Sequence, residues 1–211
     1  LQQLLQRVKE TSPALVEEML PDRLPLQTFH QVLVRLLEER VPITDMTLIL
    51  EATLNRTSQT KSANDLSELI RDDLGRIICD RFRDENGHVR VIFVDPRLES
   101  MLRDCLHDGK LEIKPIHLER LVTSLRRHWQ LATSKGQEVA LLTERRLRRP
   151  LRQAIQRSLS DIHVIAHTEI PNDLLIAPQA ALRLDEIPTE NATPTVGPQD
   201  TVSALAAALE L

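Results

Sequence analysis

The 211-residue chain is 41% hydrophobic but only 2% aromatic, with Phe29, Phe82, Phe93 and Trp129 and no tyrosine. Its core must therefore be aliphatic, and it has few rings on which single-stranded nucleic acid could stack. A net charge of -4 supplies no global basic field for nucleic acid or an anionic membrane, and no apolar run approaches the ~18 residues of a membrane span.

Residues 1–20 read as helix in two pieces. Leu1, Leu4, Leu5 and Val8 share one face, and Leu15, Val16, Met19 and Leu20 resume it after Ser12-Pro13, an N-cap followed by proline at the first helical position. Leu26, Phe29, Val32, Leu33, Leu36 and Leu37 predict a second helix over 26–40. The stretch RVPITDM, Arg40 to Met46, stops that helix at Pro42 and starts another, with Thr44 or Asp45 as cap and Met46, Ile49, Leu50 and Leu54 turned inward. A fourth helix runs from about Asp65 through Phe82.

The period then changes. Asp84-Glu85-Asn86-Gly87 is a turn, and Val89 to Val94 is a strand whose nearly continuous apolar run implies burial on both faces. Asp95-Pro96 opens a helix through about Leu106, ended by Asp108-Gly109, and residues 115–132 form another. Val139–Leu142 is a short strand, 144–159 a helix, Ile162–Ala166 a strand, and Leu174–Ile176 and Ala181–Leu184 are candidate edge strands. The fold class expected is α+β: a helical subdomain of about four helices, then a small α/β subdomain with a sheet of three or four strands. The expected divisions are 1–24, the end of a preceding subdomain; 25–85, helical; 86–187, α/β; and 188–211, a disordered tail rich in Pro and Thr.

Catalytic signatures are weak. Five scattered glycines exclude a P-loop or a dinucleotide fingerprint, and Ser158, Ser160, Asp161 and His163 lack a nucleophile elbow. His163 and His167 flank a strand, where four residues span ~13 Å, too far to share a metal simply. Cys79 and Cys105 form neither a disulfide framework nor a zinc site. The sharpest feature is TERRLRRPLRQAIQR, where Arg145, Arg146, Arg148, Arg149, Arg152 and Arg157 surround a Leu/Ile stripe. Three readings stand: a wet basic face, a docking face for an acidic protein, or a nucleic-acid-associated helical regulator using Arg145 to Arg157.

Four stretches, in order, resemble the C-terminal cytoplasmic region of the type III export gate family, the flagellar/Hr/invasion protein export pore family. They are SPALVEEMLPDRLPLQTFHQVLVRLLEERVPITDMTLILEA, LSELIRDDLGRIICDRF, VIFVDPRLESML and LRRPLRQAIQRSLSDIHVIAHTEIP, together covering most of residues 12–171. The resemblance implies a longer parent with an N-terminal membrane domain in the bacterial inner membrane, this chain lying on the cytoplasmic side. It implies self-assembly into a ring of nine that docks secreted substrates, export chaperones and the ATPase stalk protein. It implies no enzyme activity, no cofactor and no nucleic acid. Ring or partner contacts are then expected at Asp45, Arg71, Arg76, Arg145, Arg148, Arg149 and Arg152. Arg71 and Arg76 are five apart and cannot point the same way. Members commonly carry arginine just before the Asp of V-P-I-x-D-M, where this chain has Thr44, and the ending TEIP leans toward the flagellar branch.

Overall fold

The computed structural model describes residues 2–187 apart from 21, 22 and 135. The expected tail therefore lies outside the described residues. Helices α1 (Gln2–Thr11) and α2 (Pro13–Met19) are parted at Ser12, whose side chain makes no capping hydrogen bond, leaving Pro13 to set the start of α2. Helix α3 (Leu26–Glu38) buries Phe29, Val32, Leu33 and Leu36, the stripe its spacing predicts.

The RVPITDM junction stops one helix and starts the next with separate devices. Arg40 takes a left-handed φ of 56°, the Val41 amide donates to the Leu36 carbonyl at 2.8 Å and the Arg40 amide to Leu37 at 2.9 Å. This is a Schellman cap with arginine where glycine is usual, and Val41 and Leu36, both buried, supply its apolar contact. Asp45 then caps α4 (Met46–Arg56) by accepting from the Leu48 amide at 2.9 Å. The expected fourth helix is two, α5 (Ala63–Asp73) and α6 (Gly75–Asp80), meeting at Leu74.

Strands β1 (Val89–Val94), β4 (Ala140–Thr143), β5 (His163–Ala166) and β6 (Ile176–Leu182) form one parallel sheet in the order β5-β4-β1-β6. Helices α7 (Pro96–Asp104) and α8 (Pro115–Thr133) lie in the crossover from β1 to β4 and α9 (Arg145–Ile155) in that from β4 to β5, while β5 leads to β6 through a 3-10 turn, His167–Glu169. Two expectations need correction. The helix after Pro96 ends at Asp104, and β2 (Leu106–His107) and β3 (Lys110–Leu111) make a hairpin around Asp108 and Gly109. Both turn residues have positive φ, 48° and 73°, the geometry of a two-residue hairpin loop, so Asp108-Gly109 reverses a ribbon instead of ending a helix. The two candidate edge strands are one strand, β6, interrupted only by a register shift opposite Val91 and Ile92, where proline is tolerated on an edge.

Strand alternation sorts the sheet between two cores. Val89, Val91, Ala140, Leu142 and Ile165 pack with Phe29, Leu66, Ile78 and Phe82 of the preceding helical part. Ile92, Val94, Leu141 and Val164 face the other way, onto Leu98 and Leu102 of α7, Leu121 and Leu125 of α8, and Leu147, Leu151 and Ile155 of α9. The sheet is thus a wall shared by helices on both sides. Its first strand is buried on both faces, as its composition predicts.

Candidate functional site

Where the helical part meets the sheet, the wall is polar. The residue after α3 brings Glu39, α5 brings Glu68 and Arg71, α9 brings Arg148, and the 3-10 turn His167–Glu169 after β5 brings Glu169. Arg71 donates from Nε and Nη2 to the two carboxylate oxygens of Glu169, at 2.9 and 2.7 Å, and its Nη1 lies 3.1 Å from Glu39. Arg148 grips both Glu68 and Glu39 through paired contacts, including Nε to Glu68 at 2.8 Å and Nη2 to Glu39 at 3.1 Å. Arg148, Arg71 and Glu169 are only 1%, 3% and 2% exposed.

Charges so deeply placed are tolerable only when paired and hydrogen-bonded. Burial works against the Arg148 charge, but Glu39, Glu68 and Glu169 more than offset it and hold the guanidinium above its ordinary value. Burial alone would raise Glu39; Arg71 and Arg148 overcome that and hold it below the usual carboxylate range. All three carboxylates are occupied by arginine, so the cluster acts as a cross-link between segments more than 70 residues apart (Glu68 to Arg148, |i−j| = 80).

The expected site residues separate into two groups. Arg71 and Arg148 are spent inside the chain. This corrects the picture of one wet arginine face on α9: the helix buries Leu147, Arg148, Pro150, Leu151 and Ile155, and Arg148 shares the stripe's seven-residue spacing with Ile155. The other five lie outside the cluster. Asp45 is exposed at its cap. Arg76 pairs with Asp173 at 2.8 Å, the two side chains 61% and 60% exposed. Arg145 reaches Asp72 at 2.6 Å, and Arg149 and Arg152 are half-buried, Arg152 donating to the Ser160 carbonyl at 3.3 Å. Arg71 and Arg76 do point apart, one inward and one to solvent.

Sequence reasoning missed the acidic half of the cluster, Glu39, Glu68 and Glu169. Their only local signal is the three-residue spacing from Glu68 to Arg71, and it does not distinguish a surface pair from a buried one. It also missed Arg90, 4% exposed within β1, which donates to the Ala132 carbonyl at 3.0 Å and so binds the last turn of α8.

The hydrolase-like residues do not converge. Asp161 pairs with Arg40 at 2.9 Å, the Ser158 and Ser160 carbonyls accept from Arg126 and Arg152, and the His163 ring lies 5.5 Å from that of Phe82. Burial, reinforced by Arg81, pushes His163 down to about 4, and burial raises the Cys79 thiol to about 12, far from a reactive thiolate. Among the described residues, no three His, Cys, Asp or Glu side chains are grouped to hold a metal.

Residues 1–174 match the FHIPEP family model. The flagellar biosynthesis protein FlhA of Salmonella typhimurium is 33% identical over 172 residues, covering 82% of this chain and 25% of that protein. The chain thus spans about a quarter of the length of the curated relatives it matches. The CdsV protein of Chlamydia pneumoniae is 26% identical with a TM-score of 0.77, covering 86% of this chain and 53% of that one, and a CdsV and CdsO complex matches with a TM-score of 0.76. The nonameric EPEC SctV-C shares the fold at 23% identity and a TM-score of 0.75, covering 85% of this chain and 55% of that one. With the family model matching residues 1–174, from the helical part through the first three strands of the sheet, the chain belongs to the FHIPEP family.

Proposed function

We propose that this chain is cytoplasmic platform from a type III protein export gate, of the flagellar branch, and that it works by assembling with its own copies and docking other polypeptides. The observation that carries the reading is the family match over residues 1–174. The relative from Salmonella typhimurium, named for flagellar biosynthesis, favours the flagellar branch. The nonameric state of EPEC SctV-C supports a ring, and the complex of CdsV with CdsO supports a protein partner at this fold, which we assign to the ATPase stalk. Secreted substrates and their chaperones complete the partner set.

In this reading the chain is a binding module without catalysis, and the inner-membrane anchor belongs to the parent. Among the described residues no helix is long and apolar enough to cross a membrane. The division at 25–85 and 86–187 describes two subdomains welded by the Arg148 cluster. Contacts with copies and partners are drawn from Asp45, Arg76, Arg145, Arg149 and Arg152, the expected residues that the cluster leaves out. Because exposed pairs contribute only ~0–1 kcal/mol each, several must act together.

The test is export itself. Arg76→Glu and Arg149→Glu, combined in the full-length parent, should leave the protein level unchanged while exported proteins in the medium fall and their cytoplasmic pools rise. Normal export from a parent changed at all five positions would overturn the reading.

A further inference from the structure

Beside the ion cluster lies a cavity of about 20 Å³, bounded by the α3–α4 junction, α5, α6, α9 and β5. Among the described residues, four buried side-chain polar atoms have no hydrogen-bond partner, and two of them, Nη1 of Arg71 and Nη1 of Arg152, belong to residues that line this cavity. Arg71 has committed Nε and Nη2 to Glu169, and its Nη1, though 3.1 Å from Glu39, is off the hydrogen-bond line. Arg152 uses Nη2 on the Ser160 carbonyl. Buried donors are rarely left unpaired, so two of them from different helices at one small polar cavity point to a shared acceptor.

We infer that this cavity is the site of a single structural water, which accepts from Nη1 of Arg71 on α5 and Nη1 of Arg152 on α9 and so bridges the helical part to the α/β part. A cavity needs about 10–15 Å³ to hold one water, and this one has that room. A water held by two donors must place two protons of its own, and the lining carries two acceptors for them. One is the Glu39 carboxylate, whose oxygens have lone pairs beyond those that Arg148 takes. The other is the His163 ring, kept neutral by burial and then by Arg81, so that one ring nitrogen accepts. Charge also favours a neutral ligand. Arg40 is matched by Asp161 and Arg81 by Glu138, while Arg71, Arg148 and Arg152 are matched by Glu169, Glu68 and Glu39. Val41, Ile78, Phe82 and Ile165 make the lining apolar elsewhere, so the polar groups fix where the water sits. Guanidiniums only donate, so Arg71 and Arg152 can be joined only through an acceptor between them, and a bridging water serves nearly as well as a direct bond. The polar seam thereby extends from the Arg71–Glu169 pair to Arg152 and β5.

A high-resolution crystal structure of the wild-type chain tests it. One density peak should lie within hydrogen-bond distance of both Nη1 groups, and it should stay without anomalous signal in crystals soaked in bromide. In solution, magnetic relaxation dispersion of water oxygen should count one fewer long-lived water in Arg152→Met than in the wild type. The wild-type peak reads the site whether or not that variant folds. An empty cavity, an anomalous bromide peak, or an equal water count in a folded Arg152→Met would overturn the inference.

Discussion

Arg71 and Glu169 meet nitrogen pair to oxygen pair, at 2.9 and 2.7 Å, across 98 residues of sequence, with both side chains all but excluded from solvent. One comes from the helical part and the other from the turn after β5, so the pair joins the two sides of the sheet's polar seam. An isolated charge at this depth is far more costly than a pair. Arg71→Met should therefore cost ~3–5 kcal/mol, because Glu169 is left buried, and adding Glu169→Leu should recover part of the loss. Urea unfolding of the two variants checks the asymmetry. Equal stability of the single variant and wild type would show the pair to be incidental.

Acid should unlock the same seam. Glu39 is held below its ordinary range, so it binds its proton more weakly folded than unfolded. Its contribution is complete above the unfolded carboxylate value of 4.5 and is lost as pH falls through the lower folded one. Arg148→Met removes a main cause of the depression and should flatten that part of the stability–pH curve, as read by melting temperature at pH 3 to 6.

His163 acts in a higher window with the same sign. It is pushed down from 6.5 to about 4, so between those values the unfolded chain takes up a proton that the folded chain refuses. Stability should decline as pH falls from about 6.5 toward 4 and be less pH-dependent there in His163→Gln. A folded-state NMR titration of His163 near its ordinary value would contradict the assignment.

At Gly75 the backbone of α6 comes so close to the turn after β5 that an added Cβ would sit 2.1 Å from the Glu169 carbonyl oxygen. Gly75→Ala must push that turn aside and disturb the Arg71 pair; the expected loss is ~3 kcal/mol. Gly109→Ala, where nothing stands within 4 Å and only the left-handed φ of 73° resists, should cost ~1 kcal/mol. Chemical denaturation of both variants gives the comparison.

Much of this was legible in the chain. The aliphatic stripes of α3 and α4, the doubly buried β1 and the Asp45 cap follow from local spacing, because short-range sterics and one apolar face decide them; the stop of α3 lies before Pro42, at the left-handed Arg40, where no glycine marks it. What escaped depends on distant partners. Arg148 reads as surface in a run of arginines until Glu39 and Glu68, 109 and 80 residues away, are folded onto it. The hairpin at Asp108-Gly109 looked like a helix stop because both uses call for the same left-handed residues. The close approach of the Glu169 carbonyl to Gly75, next to the break at Leu74, is announced by no local pattern.

Asp45 separates two roles by its choice of substitute. As the cap of α4, Asp45→Ala should cost ~1 kcal/mol and Asp45→Asn almost nothing, since either oxygen accepts from Leu48. If Asp45 also makes a charged contact with a neighbouring copy, Asp45→Asn should weaken assembly while leaving the melting temperature of the single chain unchanged. Differential scanning calorimetry with sedimentation at matched concentrations tells these apart.

Self-assembly is the proposal on which the function rests. Sedimentation velocity on the parent's whole cytoplasmic region, over a wide concentration range, tests it most directly. The expected result is a concentration-dependent shift from monomer to a closed species of nine copies, weakened by Arg76→Glu with Arg149→Glu. A region that stays monomeric at every concentration, with its fold intact by circular dichroism, would contradict it.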